Sequence, residues 1–238
     1  MARSLLVRGM LVGLLAGLLA FAFARFVGEP EVERAIAFET RMDQAKGQSP
    51  EPEMVSRGVQ KSLGLLTGVV VYGTAIGGLF GLVFAFAYGR MGITHPRTLS
   101  AVLAAIGFVT IVLIPTLKYP ANPPSVGSPE TIGVRTAAFF LLIVVSIAAM
   151  VLALQARRSL STRFGDWNIS LLAAGLFLLI TSVVCYALPI VDEVPAGFPV
   201  TLMWRFRIAA LGVQAVMWAT LGILFGWLTE RDEKWQQI

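Results

Sequence analysis

Residues 63–88 read LGLLTGVVVYGTAIGGLFGLVFAFAY, with no Asp, Glu, Lys, Arg or His among them. A helix needs about 20 apolar residues to cross the hydrocarbon core of a bilayer, and this stretch exceeds that. A helix also satisfies its own backbone hydrogen bonds, which lipid cannot do for it. Residues 63–88 therefore predict a transmembrane helix.

Five further stretches have the same character: 5–24, 99–117, 135–155, 169–190 and 206–228. Charged residues crowd their ends, at Arg8, Arg25, Lys61, Arg90, Arg97, Lys118, Arg135, Arg157, Arg205, Arg207 and Arg231. The expected fold is all-α, a polytopic membrane helical bundle with six transmembrane helices. With 56% hydrophobic and 14% charged residues, little chain is left for a soluble catalytic domain. The net charge of +5 sits at helix ends, where it sets topology, and gives no reason to expect nucleic acid. Cys185 is the only cysteine, so an intramolecular disulfide is impossible.

Short-loop cations assign the orientation. One side gathers Arg3, Arg8, Arg90, Arg97, Arg157, Arg158, Arg163, Arg231 and Lys234, and is expected to be cytoplasmic, with both termini. The other side holds the loop 28–62, acidic through Glu29, Glu31, Glu33, Glu39, Asp43, Glu51 and Glu53. The N-terminal run imitates a signal peptide, ending in Ala22-Phe23-Ala24. However, Gly9, Gly13 and Gly17 repeat every four residues, the pattern that lets two helix backbones approach, so a retained first span is expected. Gly64, Gly68, Gly73, Gly77 and Gly81, and later Gly222 and Gly226, extend the same reading.

Two loops echo each other. Leu113-Ile-Pro-Thr-Leu-Lys-Tyr-Pro-Ala-Asn-Pro-Pro124 and Ala187-Leu-Pro-Ile-Val-Asp-Glu-Val-Pro-Ala-Gly-Phe-Pro199 both leave a helix through proline and then reach Pro-Ala and another proline. Arginine follows in each case, at Arg135 and Arg207. With the looser hairpin from Glu29-Pro30 to Arg57, this suggests three outward-turned hairpins within one membrane domain, 1–238. Internal repeats often mark transporters; prolines that stop helices at an interface, each followed by an anchoring arginine, would give the same pattern.

Pro30 and the acids around it suit a helix N-terminus, predicting a short outer amphipathic helix over about 30–42 and a flexible linker over 43–55. At about 100° per residue, Val32, Ala35, Ile36 and Met42 share one face, with Phe38 at its edge and Glu39 in its middle. A carboxylate there needs a cation, either an arginine (Arg57, Arg135, Arg205 or Arg207) or a metal ion. The expected metal-gathering residues are Glu39, Glu29, Asp192, Glu193 and Asn122.

The segments Arg8-Gly-Met-Leu-Val-Gly-Leu-Leu-Ala-Gly17, Gly28-Glu-Pro-Glu-Val-Glu-Arg-Ala-Ile-Ala-Phe-Glu39, Ser56-Arg-Gly-Val-Gln60, Gly64-Leu-Leu-Thr-Gly68, Lys118-Tyr-Pro-Ala-Asn-Pro-Pro124 and Trp204-Arg-Phe-Arg207 resemble the CbtA family, cobalt-transporter subunits of bacterial membranes. The resemblance implies cobalt as substrate, a link to cobalamin metabolism, a place in the bacterial inner membrane and a small, single-span, CbtB-like partner carrying histidines. It implies no permanently bound cofactor, and leaves a homo-oligomer open. Many members carry a histidine-rich outer loop, whereas residues 40–54 here have none. The only histidine, His95, precedes Pro96 and reads as a loop or helix-entry residue rather than a ligand. Carboxylates without imidazole hold cobalt weakly and with little selectivity, which makes a histidine-bearing partner more necessary.

The spans offer an ion only neutral groups, Thr67, Tyr72, Thr74, Thr110, Ser146, Thr181, Cys185 and Gln214 among them, most of which read as packing residues. Proton relays usually need intramembrane Asp, Glu or His. There is no Gly-x-x-x-x-Gly-Lys-Ser/Thr loop and no nucleophile–base pair, so no enzyme is expected. The alternatives to a transport subunit are a membrane scaffold that stabilises another transporter and, more remotely, an intramembrane lipid enzyme.

Overall fold

The computed structural model describes residues 2–47 and 55–236, leaving out the side chains of 161–164 and 233–236. The described chain is helical: α1 Ala2–Phe23, α2 Glu29–Ala45, α3 Arg57–Val59, α4 Leu65–Ala87, α5 Pro96–Gly107, α6 Ile114–Lys118, α7 Ile132–Phe164, α8 Asp166–Ala187 and α9 Val200–Gln236. Three π-helical segments join α1 to α2, α3 to α4 and α5 to α6 without a break, at Ala24–Gly28, Gln60–Gly64 and Phe108–Leu113. Six helices are long and apolar enough to cross a membrane.

Element ends follow local chemistry. Span five stops at Ala187, short of the expected 190, because Pro189 disfavours helical geometry at Leu188, which is extended at φ −76° and ψ 150°. Span three begins at Pro96, before the expected 99, with His95 as its N-cap. The amphipathic helix is not separate. It runs to Ala45 as a continuation of span one, so the expected linker begins later than residue 43. Residues 48–54 of that linker lie outside the described residues.

The helices group into two compact units. The first comprises Met1–Phe108, Pro123–Ser125 and Gly197–Ile238, the second Val109–Asn122 and Val126–Ala196. In the first, α1 packs on α4 and α9, and α9 also packs on α5. In the second, α7 packs on α8 and on α6.

Glycines set the closest approach in the first unit. A Cβ on Gly13 would lie 2.9 Å from the Cα of Gly77, and one on Gly17 would lie 2.9 Å from the Cα of Val70. Gly9 and Gly81 meet the opposite helix just as closely, so α1 and α4 run antiparallel in near backbone contact. Gly68 has open space around it and Gly64 approaches only its own helix, so the stripe predicted through both begins at Gly73. Gly226 performs the same service for α5, a Cβ there lying 2.9 Å from the Cα of Arg97. Ser100 Oγ donates to the Gly222 carbonyl at 2.8 Å across that buried contact. Phe84 and Phe225 fill the core edge-to-face, with centroids 5.0 Å apart.

In the second unit, Ile114, Ala149, Ala153, Ala173 and Phe177 form one core cluster, and Tyr119, Ala138 and Leu142 another. Pro115 stands inside span three. It lacks an N–H, and helices tolerate this in lipid when side chains satisfy the freed carbonyls. Ser146 Oγ supplies such a bond to the Thr110 carbonyl, in the π-helical segment next to that proline. Other span hydroxyls bond within their own helix, as expected: Thr74 to the Val70 carbonyl at 2.8 Å and Thr181 to the Phe177 carbonyl at 2.9 Å.

Candidate functional site

The predicted site residues divide between the units. Glu29, Glu39, Arg57, Arg205 and Arg207 belong to the first; Asn122, Arg135, Asp192 and Glu193 belong to the second.

In the first unit the acidic residues line α2. α2 continues α1 through the π-helical segment and turns its Ala35 face inward. The face turned inward carries Glu29, Glu31 and Ala35, all buried, while Glu39 and Ile36 are half-buried. Glu39 shares the face of Glu31 and Ala35, one turn beyond Ala35, and is less deeply buried. Phe38 anchors the helix against Phe198, ring centroids 5.1 Å apart and edge-on. Arg57 Nη2 donates to Glu29 Oε2, and Arg57 Nη1 donates to Gln60 Oε1 at 3.3 Å. Lys61 bridges Glu33 at 2.8 Å on the exposed side. Glu39 takes part in a polar interaction of its own, as does half-buried Arg207, while Arg205 is exposed.

Glu31 was not singled out by the sequence. Its Oε1 accepts from Arg34, one turn on, but its Oε2 is buried with no hydrogen-bond partner among the described residues. The signal available was helix phase: Glu31 lies one turn before Ala35 on the same face. Ser125 is a second surprise in this unit. It adopts φ +64°, rare for a residue with a side chain, and its buried hydroxyl also has no partner.

In the second unit, Glu193 closes a clasp between the two proline-rich loops. Its side chain is only 3% exposed. Thr131 Oγ1 donates to Oε1; Asn122 Nδ2 at 3.0 Å and Arg135 Nη1 at 3.1 Å donate to Oε2. Arg135 Nη2 also donates to the Pro120 carbonyl at 2.7 Å, and Tyr119 donates its hydroxyl to the Pro189 carbonyl at 2.8 Å. The Thr131 hydrogen bond and the Arg135 charge hold the Glu193 carboxyl below the ordinary carboxylate range, against the effect of burial. The echo between the loops is thus a physical contact: Asn122 and Tyr119 of one meet Glu193 and Pro189 of the other. Asp192 is exposed and points one oxygen at its own loop, at the Val194 amide.

Both Glu193 oxygens are taken up by donors, and Glu29 is held by arginine. Among the described residues no three His, Cys, Asp or Glu side chains stand close enough to hold a metal ion together. Any ion collected here would meet one or two carboxylates at a time.

Six apolar helices with charge confined to their ends define an integral membrane protein of the polytopic helical class. Within that class the chain belongs to the CbtA family, described as probable cobalt transporter subunits, which matches residues 2–230. No curated protein and no solved structure matches it.

Proposed function

We propose that this chain is the membrane-embedded subunit of a cobalt uptake system, with its Glu29 end outside. Carboxylates there gather the divalent ion, which then crosses through the uncharged bundle with the help of a small, single-span, histidine-bearing partner. The family supplies the substrate class. The observation that carries the residue-level reading is the buried, unpartnered Oε2 of Glu31. A buried carboxylate oxygen is costly unless it meets a cation or a donor, and a divalent ion would supply one. Glu31 therefore joins Glu39, Glu29 and Asp192 as an ion-gathering group. Asn122 and Glu193 contribute through the clasp, which stands over the second unit in a fixed arrangement.

The weakness of a carboxylate-only set for cobalt supports the partner. Without imidazole or thiolate, such oxygens discriminate poorly among divalent ions. Retention would fall to the partner's histidines.

Radioactive cobalt uptake into vesicles tests the reading, with this chain alone and with the histidine-bearing partner. Uptake that needs both chains, and that falls on charge reversal at Glu39 or Glu31, is expected. Full uptake by the charge-reversed variants would refute the ion-gathering role.

A further inference from the structure

At the Arg8 end of the first unit, α1 and α9 leave between them a groove of about 660 Å³. Arg3, Ser4, Arg8 and Asp232 lie at its polar part, and Val7, Leu11 and Leu228 form its apolar wall. At ~1.5 Å rise per residue, Leu11 lies ~12 Å along α1 from Arg3, and Leu228 one turn along α9 from Asp232. The groove therefore changes from charged to greasy along the helix axes, as a lipid does from headgroup to chain.

Its charges are not equivalent. Arg8 is committed within the protein: Nη1 donates to Thr229 Oγ1 at 2.9 Å and Nη2 pairs with Asp232, leaving the side chain 16% exposed. Arg97 and Glu230 pair close by on α5 and α9. Arg3 is exposed and makes no ion pair among the described residues. Arg8 and Asp232 cancel, so among the described side chains lining the groove Arg3 is the cation without an ion pair.

We propose that this groove binds an acidic glycerophospholipid, its phosphate on Arg3 and an acyl chain along Val7, Leu11 and Leu228. Basic pockets between transmembrane helices recognise anionic headgroups in this way. A free phosphate would use the arginine but not the apolar wall. A zwitterionic lipid would bring a second positive charge towards Arg3. The acidic lipid matches both the charge and the wall.

Thermal unfolding of the purified full chain, with phosphatidylglycerol or phosphatidylcholine added to the detergent, tests this. Phosphatidylglycerol is expected to raise Tm above the phosphatidylcholine value, in a dose-dependent and salt-sensitive way. Arg3→Gln, on the surface, should unfold like the parent in phosphatidylcholine and lose at least half of the phosphatidylglycerol shift. Equal Tm in the two lipids, an undiminished shift in Arg3→Gln, or equal stabilisation by soluble glycerol 3-phosphate would each overturn the assignment. Native mass spectrometry gives a second reading: the parent should retain more phosphatidylglycerol than Arg3→Gln does.

Discussion

Gly13 and Gly77 face each other so closely that a Cβ on either would lie under 3 Å from the other's Cα, 2.9 Å from Gly13 and 2.7 Å from Gly77. Backbone, not a flexible side chain, occupies the space. Gly13→Val should therefore destabilise the protein at the upper end of the ~1–3 kcal/mol typical of overpacking, because no rotamer change relieves it. Gly68→Ala is the matching control. It has open space, and alanine favours a helix over glycine by up to ~1 kcal/mol, so neutral or improved stability is expected. Tryptophan fluorescence during thermal unfolding in detergent would read both.

Glu193 gives a pH-dependent prediction. Its carboxyl is held below its ordinary value by the Thr131 hydrogen bond and the Arg135 charge. A depressed folded-state pKa contributes stability above the unfolded pKa, and loses it as pH falls through the folded one. Near pH 7 Glu193→Ala should cost ~2–3 kcal/mol. That lies below the ~3–5 kcal/mol of a fully buried broken pair, because the Arg135 side chain remains 23% exposed. Below pH 4 the gap between parent and variant should narrow. A gap that stays constant from pH 7 to pH 3 would show that Glu193 acts by packing alone.

Hydroxyls that cross between helices give a third. Ser146 bonds to the Thr110 carbonyl and Ser100 to the Gly222 carbonyl, both fully buried. Interhelical hydrogen bonds in membranes are worth ~0.6 kcal/mol on average and up to ~1.7. Ser146→Ala should reach the upper part of that range, because Pro115 has no N–H to offer the carbonyl five residues before it. Thr74→Ala, whose hydroxyl bonds within its own helix, should cost less. Equal losses would mean that the crossing bonds carry no special weight.

These cases show what the residue order could reveal. The spans were legible because lipid imposes a length and an apolar character that hardly any other fold demands. The α1–α4 contact was legible from glycines at a spacing of four, since only glycine permits such an approach. The limits of that rule were not. Gly64 and Gly68 obey it and touch nothing on another helix, because a small residue permits an approach without producing one. The loop echo was visible as a pattern, but the clasp was not, since Thr131 gave no sign that it would meet Glu193. Depth along α2 was the least legible. Residues 30–42 put Glu39 on the face of Ala35, but do not show that burial is deeper at Glu29 and Glu31, nearer span one.

Glu31 and Arg57 separate ion gathering from structure. Under the proposed function, Glu31 Oε2 awaits a cation, and its existing partner Arg34 is 53% exposed and readily hydrated when released. Glu31→Gln should therefore raise the cobalt concentration for half-maximal uptake several-fold while moving Tm little. Glu29 differs because Arg57 already satisfies it, with its side chain 8% exposed. If an arriving ion displaces the arginine, removing that competitor strengthens capture. Arg57→Gln should then lower the half-maximal cobalt concentration and, by leaving Glu29 buried without its pair, also lower Tm. The two variants thus move uptake in opposite directions, whereas a purely structural cluster would leave half-maximal cobalt unchanged in both. Cobalt uptake titrations in vesicles with the partner present, beside Tm of the same preparations, would distinguish them.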